Sequence, residues 1–330
     1  MRGKSIFELI YKIRWLVLFA ILVAVPLLIS NPYLLHLIIL SLMYSVLAAS
    51  WNLTLGYLGV FNFGHIAFFA IGAYASAIFG RTFGVTPWLT MFFGAGVAAV
   101  SGVLICLPVL RLKGVYVALI TYAFSELGHY SAYGLSDLTG GSSGLVGLST
   151  FHILGSTFDR FGEVGYYYVA ACLFVTFIPT MWWLIKSNFG LSIIALRDAP
   201  NYAISRGVSK ARQHLLIFLV SAFIAGIMGA FSAHYNRVVY PGLFGMGYSC
   251  DVLSMVILGG PGTFYGPIVA AFLLTFLIDF MQGLGPYRFL ISSTLIILVV
   301  IFRPGGLSSL LEIVKLRKFK GIRQEENLLE

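Results

Sequence analysis

Lys186–His214 reads KSNFGLSIIALRDAPNYAISRGVSKARQH and separates two long apolar runs. It carries five cations, Lys186, Arg197, Arg206, Lys210 and Arg212, against one acid, Asp198. Within it, Asp198–Gly207 has the marks of a two-turn helix. Asp198 is placed to cap the first free N–H groups, and Pro200 falls in the first turn, where its missing N–H costs little. Gly207 suits the left-handed conformation that closes a helix. Ala199, Tyr202, Ala203 and Arg206 recur at i, i+3, i+4 and i+7 and share a face. A short capped helix beside a membrane suits docking onto another protein. The alternative is a basic loop that only fixes topology.

The flanking runs define the class. Of 330 residues, 59% are hydrophobic and 10% charged, against roughly 25% charged in soluble domains. Apolar stretches near membrane-crossing length recur throughout, so the expected fold is an all-α polytopic membrane protein forming one transmembrane domain over residues 1–330. The first run lacks a small-residue cleavage site and is followed at once by another, so it reads as a retained helix.

Ten spans are expected, near 15–29, 33–53, 66–79, 87–110, 115–130, 166–185, 215–235, 251–258, 268–281 and 289–302. The eighth is short, and eight spans is the alternative count. In this topology 17 of the 21 Lys/Arg fall on one side. That bias places both termini, the 186–214 loop and a basic tail at 303–330 in the cytoplasm. The tail run Lys315-Leu-Arg-Lys-Phe-Lys320 suits anionic lipid headgroups and is too short to specify nucleic acid, so the bilayer is the partner that the charge implies.

Little in the chain points to catalysis. Cys106, Cys172 and Cys250 have no paired spacing and are expected to be buried structural thiols. The six histidines show no HExxH spacing, and no GxSxG occurs. Gly259-Gly-Pro-Gly-Thr-Phe-Tyr-Gly-Pro267 lacks the Lys of a phosphate-binding loop. Any ATP-driven work therefore needs a separate subunit, and no cofactor or metal is expected on this chain.

Three acids lie in apolar runs. Glu126 has His129 at i+3, Asp251 is expected to begin and cap its helix, and Asp279 shows no obvious partner; structural roles are expected for all three. Gly56–His65 is unusual, with three glycines, Asn62 and His65 interrupting apolar sequence. It reads either as a broken helix lining a transport path, making Asn62 and His65 path candidates, or as a plain turn. Gly64, Gly72 and Gly80, eight apart, suggest close helix packing. The Gly/Ser/Thr-rich 133–165 segment is expected outside, as a partner-docking surface, a lid or a solvated loop. No internal repeat is evident.

Four stretches together resemble the LivM-type permease subunits of branched-chain amino-acid ABC importers. They are Gly56-Tyr-Leu-Gly59 with Phe63-Gly-His-Ile-Ala-Phe-Phe-Ala-Ile-Gly-Ala-Tyr74; Leu107-Pro-Val-Leu-Arg-Leu-Lys-Gly-Val-Tyr116 with Thr139-Gly-Gly-Ser-Ser-Gly-Leu145; Leu196-Arg-Asp with Ala203-Ile-Ser-Arg-Gly207-Val; and Met255-Val-Ile-Leu-Gly-Gly-Pro-Gly-Thr-Phe-Tyr-Gly-Pro267. The resemblance implies a type II ABC importer-like fold, with a path at the interface with a homologous LivH-type permease. It also implies two ABC ATPase subunits that use the ATP, a periplasmic substrate-binding protein and an inner-membrane location. It makes Arg197, Asp198, Tyr202, Ala203, Arg206 and Gly207 an ATPase-coupling helix. The family usually has further acids after the Arg-acid pair; here Ala199, Pro200 and Asn201 follow, which shifts docking toward shape and Arg206. Urea or short-chain amide import on the same architecture is the nearest alternative, and an ATP-independent channel or facilitator is a rival of another class.

Overall fold

The computed structural model describes residues 31–153, 156–157 and 163–281, with isolated positions at 24–26, 28, 283, 285, 294, 301 and 306. The expected first and last spans and the basic tail lie almost wholly outside the described residues. The other eight expected spans are all helices.

α1 spans Pro32–Asn52, opened by Asn31, whose side chain accepts from the Tyr33 N–H at 3.0 Å, and by Pro32 in the first turn. It runs into a wide π turn at Leu53–Tyr57. α2 covers His65–Phe83, α3 Pro87–Val109 and α4 Val115–Gly134. After α5 (Ser136–Thr139), the antiparallel pair β1 (Leu145–Val146) and β4 (Val238–Val239) joins this segment to the chain after α9. β2 (His152–Ile153) and β3 (Ser156–Thr157) form a small hairpin. α6 is Glu163–Lys186, α7 Asn188–Asp198, α8 Pro200–Ser205 and α9 Lys210–Asn236. α10, Met246–Gly259, and α11, Tyr265–Phe280, complete the described helices.

Among the described residues, five helical segments are long and apolar enough to cross a membrane: Pro32–Tyr57, His65–Phe83, Pro87–Val109, Val164–Lys186 and Lys210–Asn236. α10 and α11, at 14 and 16 residues, rise about 21–24 Å, short of a hydrocarbon core of about 30 Å. The chain is thus an all-α polytopic membrane protein. Its outside is apolar where lipid is expected: Leu89, Phe93, Val100, Leu104 and Leu107 are exposed along α3 at helical spacing.

Two groups of helices make the core. α9 packs along α2 and α3, which also pack on each other, while α1 packs on α6, α10 and α11 and touches α9. The glycine spacing explains how closely the first group approaches. A Cβ on Gly72 would lie 2.3 Å from the Gly226 carbonyl oxygen of α9, so backbone meets backbone there with no room for a side chain.

The stretches expected on one side of the membrane converge at one end. Gly59 packs against Arg197, Gly56 against Gly262, and Val109, Gly114 and Lys210 line a common cavity. The opposite end gathers the other set: Tyr33 with Asp279, Arg81 beside Ser136–Leu145, and β1 with β4.

Several expectations need correction. α9 begins at Lys210 rather than near Leu215, so His214 sits in a helix and is buried. Asp251 does not begin its helix, because α10 starts at Met246, before Asp251, and places that residue in its second turn. Asp279 does have a partner, the Tyr33 hydroxyl, which donates to its carboxylate. Cys106 is buried, but Cys172 and Cys250 are exposed on helix faces. Glu126 and His129 do pair, at 3.6 Å.

Candidate coupling site

The 186–214 stretch is a sequence of corners rather than one helix in a loop. Ser187 caps α7 by accepting from the Gly190 N–H. The helix expected over Asp198–Gly207 is shorter than that: Asp198 is the last residue of α7, Ala199 leaves the helical conformation at φ −145° and ψ 72°, and α8 holds only Pro200–Ser205. Asp198 therefore does not cap α8. Its carboxylate instead accepts from Arg197 Nε at 2.8 Å. Arg197 wins because Ala199 turns the chain away, leaving Asp198 nearest its own neighbour. This hydrogen bond holds the Asp198 carboxyl below the usual carboxylate range. The pair is thus intact at neutral pH and is lost only as pH falls through that lowered value.

The far end behaves as its residues suggest. Gly207 has φ +87°, and the N–H groups of Gly207 and Val208 bond back to the carbonyls of Ile204 and Ala203 at 2.9 and 3.1 Å. Ala203 is buried under α8, whereas Tyr202, Ile204 and Arg206 are exposed. Arg206 Nη2 donates to the Tyr202 hydroxyl at 3.0 Å, with its guanidinium 5.2 Å from the ring centre. The helix thus offers an aromatic, an aliphatic and a cation outward, on a backbone pinned by Ala203.

Arg197 ties this segment to the transmembrane helices. Its Nη1 donates to the Gly56 carbonyl at 2.8 Å, within the π turn that ends α1. Gly56 lies in the last turn before the chain leaves the helix, where carbonyls have no N–H further along to accept from, and Arg197 satisfies this one. A charged donor in such a place contributes about 1.5–3 kcal/mol. Arg197 also passes along Gly262, whose φ of +81° strains any side chain, and a Cβ on Gly56 would lie 2.1 Å from the Gly262 nitrogen. Asn52 completes the joint: its Oδ1 accepts from the Gly262 N–H at 2.9 Å and its Nδ2 donates to the Thr263 carbonyl at 2.7 Å. Three segments meet there: the end of α1, the α10–α11 turn and the end of α7.

The Gly56–His65 stretch leaves α1 through the π turn and runs as non-helical chain to the start of α2 at His65. Asn62 and His65, however, are enclosed by protein, at 1% and 0% exposure. Asn62 Oδ1 accepts from the Gly64 N–H at 2.9 Å and its carbonyl accepts from Trp51 Nε1 at 2.8 Å, while its Nδ2 has no partner. His65 stacks on Trp51, with Nε2 3.0 Å from Ser50 Oγ. In this conformation both hold the break together.

The 133–165 segment is anchored where it is described. His234 on α9 donates from Nδ1 to the Ser149 carbonyl at 2.8 Å, and its Nε2 lies 2.9 Å from Ser76 Oγ and 3.0 Å from Thr90 Oγ1. Phe151 is fully buried beside Trp88, Phe231 and His234. Sequence reasoning missed Asn52 and His234. Each is a lone polar residue near the end of an apolar run, and the cost of leaving it unpaired there is the signal.

Comparison with known proteins agrees with this architecture. The family model described as "Branched-chain amino acid transport system / permease component" matches residues 33–302. The high-affinity branched-chain amino acid transport system permease protein LivM of Salmonella typhimurium is 30% identical over 90% of this chain and 74% of its own length. Its Escherichia coli counterpart is 29% identical over 92% and 76%. A probable branched-chain amino acid transport permease protein LivH of Methanocaldococcus jannaschii is 23% identical over 61% and 66%. No solved structure matches the chain. With its family's model matched across nearly all the described helices, the chain belongs to the branched-chain amino acid transport system permease component family.

Proposed function

We propose that this chain is the membrane-spanning permease subunit of an ATP-driven inner-membrane importer of branched-chain amino acids. It works beside a homologous LivH-type permease, receives its substrate from a periplasmic binding protein, and draws on ATP hydrolysed by two separate ATPase subunits. Both termini and the α7–α8 corner face the cytoplasm, as the Lys/Arg bias favours. The relatives named above support the transport reading and its cargo.

The observation that carries the mechanism is the bond from Arg197 to Gly56. In this reading an ATPase grips Tyr202, Ile204 and Arg206. When the ATPases close, α8 and the end of α7 move together, and Arg197 pulls the break in α1 and the α10–α11 turn with them. Those two elements lack a continuous helical ladder, so they yield before the glycine-packed α2–α3–α9 group does. The path opens between the two permeases.

The test is uptake into proteoliposomes containing this chain, its sister permease, the ATPases and the binding protein. Labelled leucine, isoleucine, valine and urea are offered with and without ATP. ATP-dependent uptake of the branched amino acids is expected. ATP-dependent uptake of urea alone would change the cargo, and equal uptake without ATP would make the chain a facilitator.

A further inference from the structure

A cavity of about 480 Å³ opens beside the coupling site, between the start of α4 and the start of α9. One wall is apolar, formed by Val60, Phe61, Val109, Leu112, Val115 and Val117. Phe61 and Val115 are exposed at its mouth. The other wall is polar, formed by Lys113, Gly114, Lys210 and His214. No carboxylate lines the cavity, and among the described residues neither lysine is ion-paired.

One helix N-terminus adds to the positive charge. α4 begins at Val115 after Gly114 with no side chain capping it, whereas the start of α9 is capped by Ser209, which accepts from the Arg212 N–H. Free N–H groups at a helix start attract anions. His214 supplies the independent sign of a ligand. It is only 7% exposed, and its Nδ1 is held by the Lys210 carbonyl at 2.9 Å. That carbonyl can only accept, so Nδ1 carries the proton and Nε2 is left as an acceptor without a protein partner in the cavity wall.

We propose that this cavity binds an anionic phospholipid from the cytoplasmic leaflet. The phosphate lies between Lys113, Lys210 and the start of α4. A hydroxyl of the headgroup donates to His214 Nε2, and an acyl chain lies along Phe61, Val109 and Val115. A free phosphate would satisfy the cations and His214 but leave the apolar wall unused. The leaflet assignment rests on the orientation given under the proposed function; the binding itself does not.

The test is native mass spectrometry of the full-length chain, delipidated in detergent, with dioleoylphosphatidylglycerol, dioleoylphosphatidylcholine or inorganic phosphate added back. Each lysine near a lipid surface is worth about 1 kcal/mol, so K113Q/K210Q should weaken the phosphatidylglycerol adduct about thirtyfold. R81Q, at the opposite end of the helices, should leave that adduct in place, and elution profiles check that both variants fold. Unchanged phosphatidylglycerol binding in K113Q/K210Q would overturn the proposal, as would equal binding of phosphatidylcholine. Displacement of the lipid by millimolar phosphate would overturn the lipid assignment. Because the readout needs neither ATP nor uptake, its result is separable from that of the transport reading.

Discussion

The Arg197 guanidinium donates to the Gly56 carbonyl at 2.8 Å, joining residues 141 positions apart in the chain. The bond links a segment built for exposure to the one place where α1 abandons its regular ladder. Asn52 braces the same joint from the other side through Gly262 and Thr263. Asn52→Ala and Arg197→Ala should therefore be non-additive. In a double-mutant cycle read by uptake rate, the pair should lose less than the sum of the singles, with a coupling of about 0.5–3 kcal/mol. Full additivity would separate the two residues functionally.

Gly207 carries φ +87° with open space around it, so the cost of a side chain there is conformational rather than steric. Gly207→Val should strain the end of α8 by about 1–2 kcal/mol and reduce co-purification of the ATPases, while leaving membrane insertion unchanged. Gly207→Asn, which tolerates this conformation, should restore most of the loss. A valine variant that holds its ATPases as wild type does would remove α8 from the docking role.

Gly72 and Gly226 meet backbone to backbone in the core. Gly72→Val should separate α2 from α9 and lower the thermal midpoint in detergent, at a cost of about 1–3 kcal/mol or more. The same substitution at Gly96, which has open space around its Cβ position, should be nearly neutral. Equal midpoints for the two variants would contradict the packing account.

His234 bonds to Ser149, Ser76 and Thr90 and so anchors the 145–151 segment to three helices. His234→Ala should expose that segment, and limited proteolysis should cut near Gly144–Gly147 faster than in wild type. A hydroxyl left buried without its partner costs about 1–3 kcal/mol, so stability should also fall. Unchanged cleavage would mean that β1–β4 pairing alone holds the segment.

The helices were legible because membrane residence writes them in long apolar runs, and the close packing because it writes small residues at helical spacing. The exposed face of α8 was legible in part. Gly207 and Pro200 mark the ends of a helix by local backbone chemistry, which needs no tertiary information. Asp198 misled for the same reason: local rules favour it as a cap, but Arg197 beside it competes for the carboxylate. The joint itself was not legible. Nothing local to Arg197 shows that its partner is Gly56, or that Gly262 and Asn52 complete the contact, because three stretches far apart in sequence make it. Asn62 and His65 stood out as polar residues in an apolar run, and both are enclosed by protein, with Asn62 Nδ2 left without a partner.

The most direct measurement compares ATP hydrolysis with leucine uptake in proteoliposomes holding Arg197→Ala and its sister subunits. The account predicts hydrolysis within about twofold of wild type and uptake lowered at least tenfold, a loss of about 1.4 kcal/mol or more in the coupled step. Arg197→Lys, which keeps the charge but replaces the two nitrogens that reach Asp198 and Gly56 by one, should also be impaired. Uptake that stays at the wild-type level with hydrolysis intact would contradict the claim that Arg197 carries motion from α8 to the break in α1.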